Sequence, residues 1–199
     1  MHDELKIVRL RGTEIQPYIT DVARLRIEIF RAFPYLYDGD LAYEEQHLQS
    51  YADCADSIWI LALDHQEVVG VSTGIPLQNA LEDLQKPFID KNYLVKDIFY
   101  FGESVLLSRY RSRGIYRRFY QEREAVARGG KYGLAAFCAV ERANPHPDRP
   151  HDYIAMDDFW MRLGYQKHAE LSATLKWKDL NETDKSDKTL LFWLKNLWQ

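Results

Sequence analysis

Residues 5–10, Leu5-Lys6-Ile7-Val8-Arg9-Leu10, are mostly apolar and predict a short first strand. Over residues 15–33 the spacing becomes helical: Val22, Leu25, Ile29 and Phe33 fall on one stripe, widened by Ile27 and Phe30. Phe33-Pro34-Tyr35-Leu36-Tyr37-Asp38-Gly39-Asp40 breaks it. Residues 41–51 predict a more polar second helix, with Asp40 as N-cap and Tyr43, Leu48 and Tyr51 as anchors. An apolar run at 57–63 and another at 68–74 predict a hairpin turning at Asp64-His65-Gln66-Glu67. Residues 76–96 form an insertion, partly helical, with Leu77, Leu81 and Leu84 in step until Pro87 stops it. A long apolar strand follows at 98–107.

After Arg109-Tyr110-Arg111-Ser112-Arg113-Gly114 a helix runs to Arg128 and ends at Gly129-Gly130. The next strand, 132–140, contains Leu134-Ala135-Ala136-Phe137, the continuous apolar run of a strand covered on both faces. A proline-rich loop at 141–152 leads to a helix over 153–163, stopped by Gly164. Leu171, Ala173, Leu175 and Trp177 alternate with polar residues in a half-buried strand, and 190–194 makes the last. The order β-α-α-β-β-β-α-β-α-β-β predicts one α/β domain: a mixed, mostly antiparallel sheet with helices on both faces.

Composition narrows the function classes. The 199 residues suffice for one sizeable core, and aromatics at 14% suggest that part of it, or a pocket, is ring-lined. A net charge of −4 argues against bulk nucleic-acid binding. The two cysteines, Cys54 and Cys138, have no CxxC or Cys/His spacing, which fits a reducing compartment. Residues 1–6 carry no apolar signal segment, and no apolar run approaches the roughly 20 residues of a membrane span. The expected location is the cytoplasm, with no membrane partner.

The stretch from Leu106 to Phe119 carries the most chemistry. A strand enters a tight turn that opens a helix, and the first N–H groups of that helix have no internal partner. They point at whatever sits above the turn, and the helix dipole favours an anion there. First turns normally hold Asp and Glu, yet here Arg111, Arg113, Arg117 and Arg118 crowd it. A bound phosphate would give each arginine a partner. The same residues also read as a solvated basic helix start with Ile115, Phe119 and Val126 as its core stripe.

Arg111-Ser112-Arg113-Gly114-Ile115-Tyr116 resembles the R/Q-x-x-G-x-G/A signature of the GNAT superfamily of N-acetyltransferases. Val105-Leu106-Leu107 resembles the apolar strand before that signature. Phe159-Trp160-Met161-Arg162-Leu163-Gly164-Tyr165 resembles the family's F-Y-x-x-x-G-F element. The element order agrees, so the resemblance spans nearly the whole chain and implies a GNAT-like fold. It implies acetyl-CoA as co-substrate, with Arg111, Ser112, Arg113, Gly114, Ile115, Tyr116 and Arg117 around the pyrophosphate, largely through main-chain N–H groups. Val105, Leu106 and Leu107 would line the pantetheine, Leu106 and Leu107 bonding its amides as an added strand does. The Leu106 N–H would also meet the thioester oxygen. Tyr116 departs from the pattern: the family prefers Gly or Ala there, so its side chain must point away from the phosphates or stack on the cofactor.

The resemblance further implies acetyl transfer to a primary amine by direct attack, helped by a carboxylate base. Glu103 is the candidate. Strand alternation places it with Phe99, Phe101, Val105 and Leu107, surroundings that would raise its pKa by desolvation. Gly102 before it marks a possible bulge. The other reading is a structural glutamate paired with an arginine or hydroxyl. The family's tyrosine acid is replaced by Trp160, whose indole cannot protonate a thiolate. Tyr153 is the substitute candidate, beside water or no acid at all. Cys138 reads as small packing. Tyr35 and Tyr37 are candidates for the acceptor pocket, a packed interhelical turn being the alternative. His146 and His151 show no ligand spacing, so no metal is expected. Trp177 and Trp193 read as core, or as a surface that could support a homodimer. A non-catalytic acyl-CoA sensor of the same fold is the alternative function.

Overall fold

A computed structural model describes residues 5–198. Of the polar N-terminal stretch, residues 1–4 lie outside the described residues. Seven strands form one sheet: β1 (Leu5–Arg11), β2 (Ile58–Asp64), β3 (Glu67–Pro76), β4 (Ile98–Leu106), β5 (Leu134–Val140), β6 (Gln166–Trp177) and β7 (Ser186–Asn196). Their spatial order is β1-β2-β3-β4-β5-β7-β6, and every neighbouring pair is antiparallel except β4 and β5. The helices are α1 (Ile19–Phe30), α2 (Leu41–Ala52), α3 (Glu82–Asp90), α4 (Ile115–Gly129) and α5 (Asp157–Arg162). The expected class, a mixed and mostly antiparallel sheet flanked by helices, is what the chain adopts. The insertion before β4 adds α3 to the expected order.

Both faces of the sheet are covered, so β2 is buried along nearly its whole length and β3 beyond Glu67. Val22, Leu25, Leu48 and Tyr51 carry α1 and α2 onto one face. Ile115, Phe119 and Ala127 carry α4 onto the other. Asp40 caps α2 as its sequence suggests, its carboxylate accepting the Tyr43 N–H at 2.9 Å. Tyr43 itself is exposed, and Glu44 takes the buried position in its place.

Three helix boundaries differ from the sequence reading. Residues 12–18, with Pro17, form a 3-10 turn, so α1 begins only at Ile19 and stops at Phe30. Pro87 lies inside α3 rather than ending it. The helix is nine residues long, and Leu84 and Phe88 hold it in the core despite the lost backbone bond. The helix expected over 153–163 contracts to α5, leaving Tyr153 in the preceding loop.

Candidate active site

The parallel pair β4–β5 is joined only at Ile98↔Leu134, Phe99↔Ala135 and Tyr100↔Ala136. Beyond Tyr100 the strands separate into a wedge; the edge of β4 inside it is unpaired with β5, and the Tyr116 hydroxyl donates to its Ser104 carbonyl at 3.0 Å. Which main-chain groups face that wedge follows from the β3 ladder. The Leu107 N–H donates to the Val69 carbonyl at 2.9 Å, so Leu107 is turned toward β3. In an antiparallel ladder successive residues point their main-chain groups to opposite sides. Val105 therefore also faces β3, while Leu106 and Ser104 face the wedge. This corrects the expected pair: Leu107 has no N–H to offer there, and Ser104, which the sequence reading passed over, takes its place.

Past the tip of β4, a 3-10 turn at Ser108–Tyr110 leads through Arg111 to α4. Ser112 has φ 62 and Gly114 φ 81, both in the left-handed region. Glycine adopts it without strain, and a Cβ built on Gly114 would meet nothing within 4 Å. The first intrahelical bond of α4 is Arg118 N–H to Gly114 C=O at 3.0 Å. The N–H groups of Ile115, Tyr116 and Arg117 thus precede the ladder, no side chain caps them, and no acidic residue lies in the first turn. Arg111, Arg113 and Arg117 are exposed around this turn. Arg113 stacks over the Tyr110 ring at 5.1 Å, and Arg118 pairs with Glu122 at 2.6 Å. The turn is an exposed, electropositive cradle of main-chain donors at one end of the wedge.

Glu103 lies at the wedge on a β-bulge. The β3–β4 register shifts between Ser72 and Gly74, setting Gly102 and Glu103 against Thr73 alone. A Cβ on Gly102 would sit 2.4 Å from Thr73 Oγ1, so no larger residue fits there. The bulge breaks the alternation on which Glu103 was assigned. Phe101 packs against Tyr120 and Tyr165 on the α4–α5 face, whereas the Glu103 carboxylate turns to α1 and α2. Arg123 of α4 occupies the other side of the bulge. It is buried, donates to the carbonyls of Thr73 (3.2 Å) and Glu103 (3.4 Å), and lies 4.3 Å above the Phe101 ring. It satisfies carbonyls that the regular ladder would have paired.

The surroundings of Glu103 are charged rather than apolar. Arg26 Nη1 lies 2.9 Å from Glu103 Oε2, and Arg26 Nε donates to Glu44 Oε2 at 2.5 Å. One guanidinium thus serves two carboxylates, and Tyr37 Oη donates to Glu44 Oε1 at 2.7 Å. Burial works to raise the Glu103 carboxyl, but Arg26, with His47 beside it, outweighs burial and holds it below the usual range. The expectation of a raised pKa is corrected accordingly. Glu103 Oε1 is buried without a hydrogen-bond partner. His47, in α2, is pushed down by burial and then by Arg26, so it is neutral at pH 7.

The remaining candidates fall at different distances from this centre. Tyr35 sits between Phe30 and Trp177, and its carbonyl accepts from Arg142 and from Trp177 Nε1. Burial raises its phenol, and Cys138, Tyr116 and Tyr120 add to the shift. Arg142 also grips Asp179 at 2.6 Å, clamping the loop at 31–40 to the β6–β7 hairpin. Tyr153 packs on Phe33 (4.7 Å between centroids) and Arg149 (5.2 Å) instead. Cys138 Sγ lies 3.1 Å from Tyr100 Oη, and burial pushes its thiol up to about 11, which suits packing. Trp193 is buried against Phe137 and Trp160, and Trp177 is half-buried on the loop, so both serve the fold.

Arg26, Glu44 and His47 were missed in the sequence. The available signal was periodic: Arg26 falls on the stripe of Val22, Leu25 and Ile29, and Glu44 shares a face with Leu48 and Tyr51. Charged residues at core positions are buried only with partners.

A splayed parallel pair, a bulge beside it and an uncapped helix start meet in one region of a fold that solved N-acetyltransferases share. No family model matches the sequence, and no curated protein does. Solved structures match over nearly their whole length. Arabidopsis thaliana NAA60 in complex with acetyl-CoA is 13% identical, with a TM-score of 0.62 over 96% of this chain and 98% of that one. A ribosomal-protein-alanine N-acetyltransferase from Brucella melitensis is 15% identical, with a TM-score of 0.60 over 95% and 99%. An N-acetyltransferase from Staphylococcus aureus Mu50 is 8% identical, with a TM-score of 0.61 over 96% and 99%.

Proposed function

We propose that this protein is an N-acetyltransferase that moves the acetyl group of acetyl-CoA to a primary amine. The observation that carries this is the wedge itself, a strand edge unpaired with β5 and ending at an uncapped, arginine-rimmed helix start. The cradle of Ile115, Tyr116 and Arg117 N–H groups, with Arg111 and Arg113 beside it, suits a diphosphate. From there a pantetheine arm would lie along β4 with its amides on Leu106 and its thioester near Ser104. The N–H of Leu106 or Ser104 would take up the charge that builds on the thioester oxygen. No helix of the described residues is long and apolar enough to cross a membrane.

Glu103, whose buried Oε1 has no hydrogen-bond partner, is the receptor for the acceptor nitrogen. Glu44, Arg26 and Glu103 together carry one net negative charge in a buried site, which favours an ammonium. Pulling a proton from an ammonium onto a carboxylate held below its usual range is strongly uphill. The acceptor therefore attacks as the free amine, its ammonium proton already lost to solvent; once the N–C bond forms, the nitrogen becomes far more acidic and passing its remaining proton to Glu103 runs downhill. In this reading Glu103 orients the amine and accepts its proton late, directly or through water, and the thiolate leaves with a proton from solvent or a nearby phenol.

The test is thiol release from acetyl-CoA across a panel of diamines, polyamines, amino acids and peptide N-termini. At least one class is expected to release free CoA stoichiometrically with acetylated product. Saturable CoA binding with no release for any of them would favour a non-catalytic acyl-CoA sensor.

A further inference from the structure

We propose that Tyr116 sets the length of the acyl chain this protein accepts, by walling the wedge where the thioester would end. The inference rests on the coenzyme reading above. Tyr116 stands where the signature it resembles has Gly or Ala, and its side chain runs from the helix cradle to the strand edge. Its hydroxyl donates to the Ser104 carbonyl at 3.0 Å. Its ring lies 6.2 Å from Phe119 and 6.5 Å from Phe159, centroid to centroid. The ring is held at its base by α4, at its tip by Ser104 and at its side by two other rings. A ring fixed in this way acts as a wall.

The wall is continuous. Tyr120, one turn on, packs against Phe137 (5.7 Å) and Phe159 (5.9 Å), carrying the ring layer from β4 to β5 across the α4–α5 side of the wedge. On the opposite face the Tyr100 hydroxyl and the Cys138 thiol meet at 3.1 Å, bridging the strands just where they part. A thioester beside Ser104 therefore finds side chains on both faces and joined strands beneath. A two-carbon group fits such a dead end. Each further methylene must displace a ring, and a packed wall resists overpacking of this kind.

The experiment is calorimetric titration of CoA, acetyl-CoA, butyryl-CoA and hexanoyl-CoA into wild type, Tyr116→Ala and Tyr116→Phe. No acceptor is needed. Wild type is expected to bind acetyl-CoA at least tenfold more tightly than the butyryl and hexanoyl thioesters. Tyr116→Ala is expected to bring the three within threefold, and Tyr116→Phe, which keeps the ring, to retain the discrimination. Equal affinities in wild type would overturn the inference, as would an unchanged ratio in Tyr116→Ala or its loss in Tyr116→Phe. If CoA binds but chain length makes no difference, only this inference fails. If none of the four ligands binds wild type, the coenzyme reading fails and takes the inference with it. Should the alanine variant not fold, Tyr116→Leu, which shortens the wall, carries the same expected and overturning outcomes.

Discussion

Replacing Arg26 by methionine keeps most of the side-chain volume and removes the one cation shared by Glu44 and Glu103. Both carboxylates are buried, with side-chain exposures of 2% and 8%, and Arg26 touches each of them. Removing one partner of a buried ion pair typically costs about 3–5 kcal/mol, because the remaining charge is left without compensation. For a domain of this size that corresponds to a fall in Tm of roughly 6–20 °C. The loss must depend on pH. In wild type the Glu103 carboxyl lies below its usual range, so it is ionised in both folded and unfolded states above about pH 5 and adds no slope there. In the variant two buried carboxylates repel, and one of them titrates above its unfolded value. Its folded form then binds a proton that the unfolded chain has released, so stability falls as pH rises through that raised pKa. The gap between wild type and Arg26→Met should thus widen from pH 5 to pH 8. Urea unfolding at four pH values measures it, and the triple variant Arg26→Met/Glu44→Gln/Glu103→Gln should recover at least half of the loss. A gap below about 1 kcal/mol, the size of a surface pair, or one flat with pH would refute the shared-cation account.

Glu103→Gln should leave coenzyme affinity within about twofold and slow transfer by about 10²-fold, the scale of a lost general base. In wild type, kcat/KM should rise with the free-amine fraction of the acceptor and show no inflection between pH 5 and 8; an inflection that disappears in the glutamine variant would contradict late proton transfer. Asp40→Ala removes the cap on the Tyr43 N–H and should cost about 1 kcal/mol in urea unfolding, with coenzyme affinity unchanged. A loss below a few tenths would show that α2 is held by packing alone.

The strands were legible because their apolar runs are strong and the sheet buries both faces. The cap at Asp40 and the bulge at Gly102 were legible because each rests on one residue type at one position. What the bulge does to Glu103 was not. Alternation is a local rule, and an extra residue in β4 sends every later side chain to the opposite face. The shortfall at Tyr153 has a similar origin: the sequence marks where a helix can run, while α5 spans only Asp157–Arg162, the turn that packs Phe159 and Trp160 on Tyr120 and Phe137. The anion cradle was readable as a strand–turn–helix rich in arginine. That Leu106 and Ser104, rather than Leu107, face the wedge depends on the β3–β4 register, a long-range pairing.

The central claim is that the first amides of α4 receive a diphosphate above Gly114. Gly114→Asp places a carboxylate where that anion would sit, and the space beside Gly114 is open, so the side chain needs no rearrangement. A negative charge is favourable at a helix start, so α4 should persist. Gly114→Asn shares the shape and the left-handed backbone cost without the charge. Calorimetric titration with acetyl-CoA should show wild-type binding at one site per chain, a modest weakening in Gly114→Asn and at least a 100-fold loss in Gly114→Asp, about 2.7 kcal/mol. Equal affinities in the two variants, close to wild type, would contradict the placement of the coenzyme.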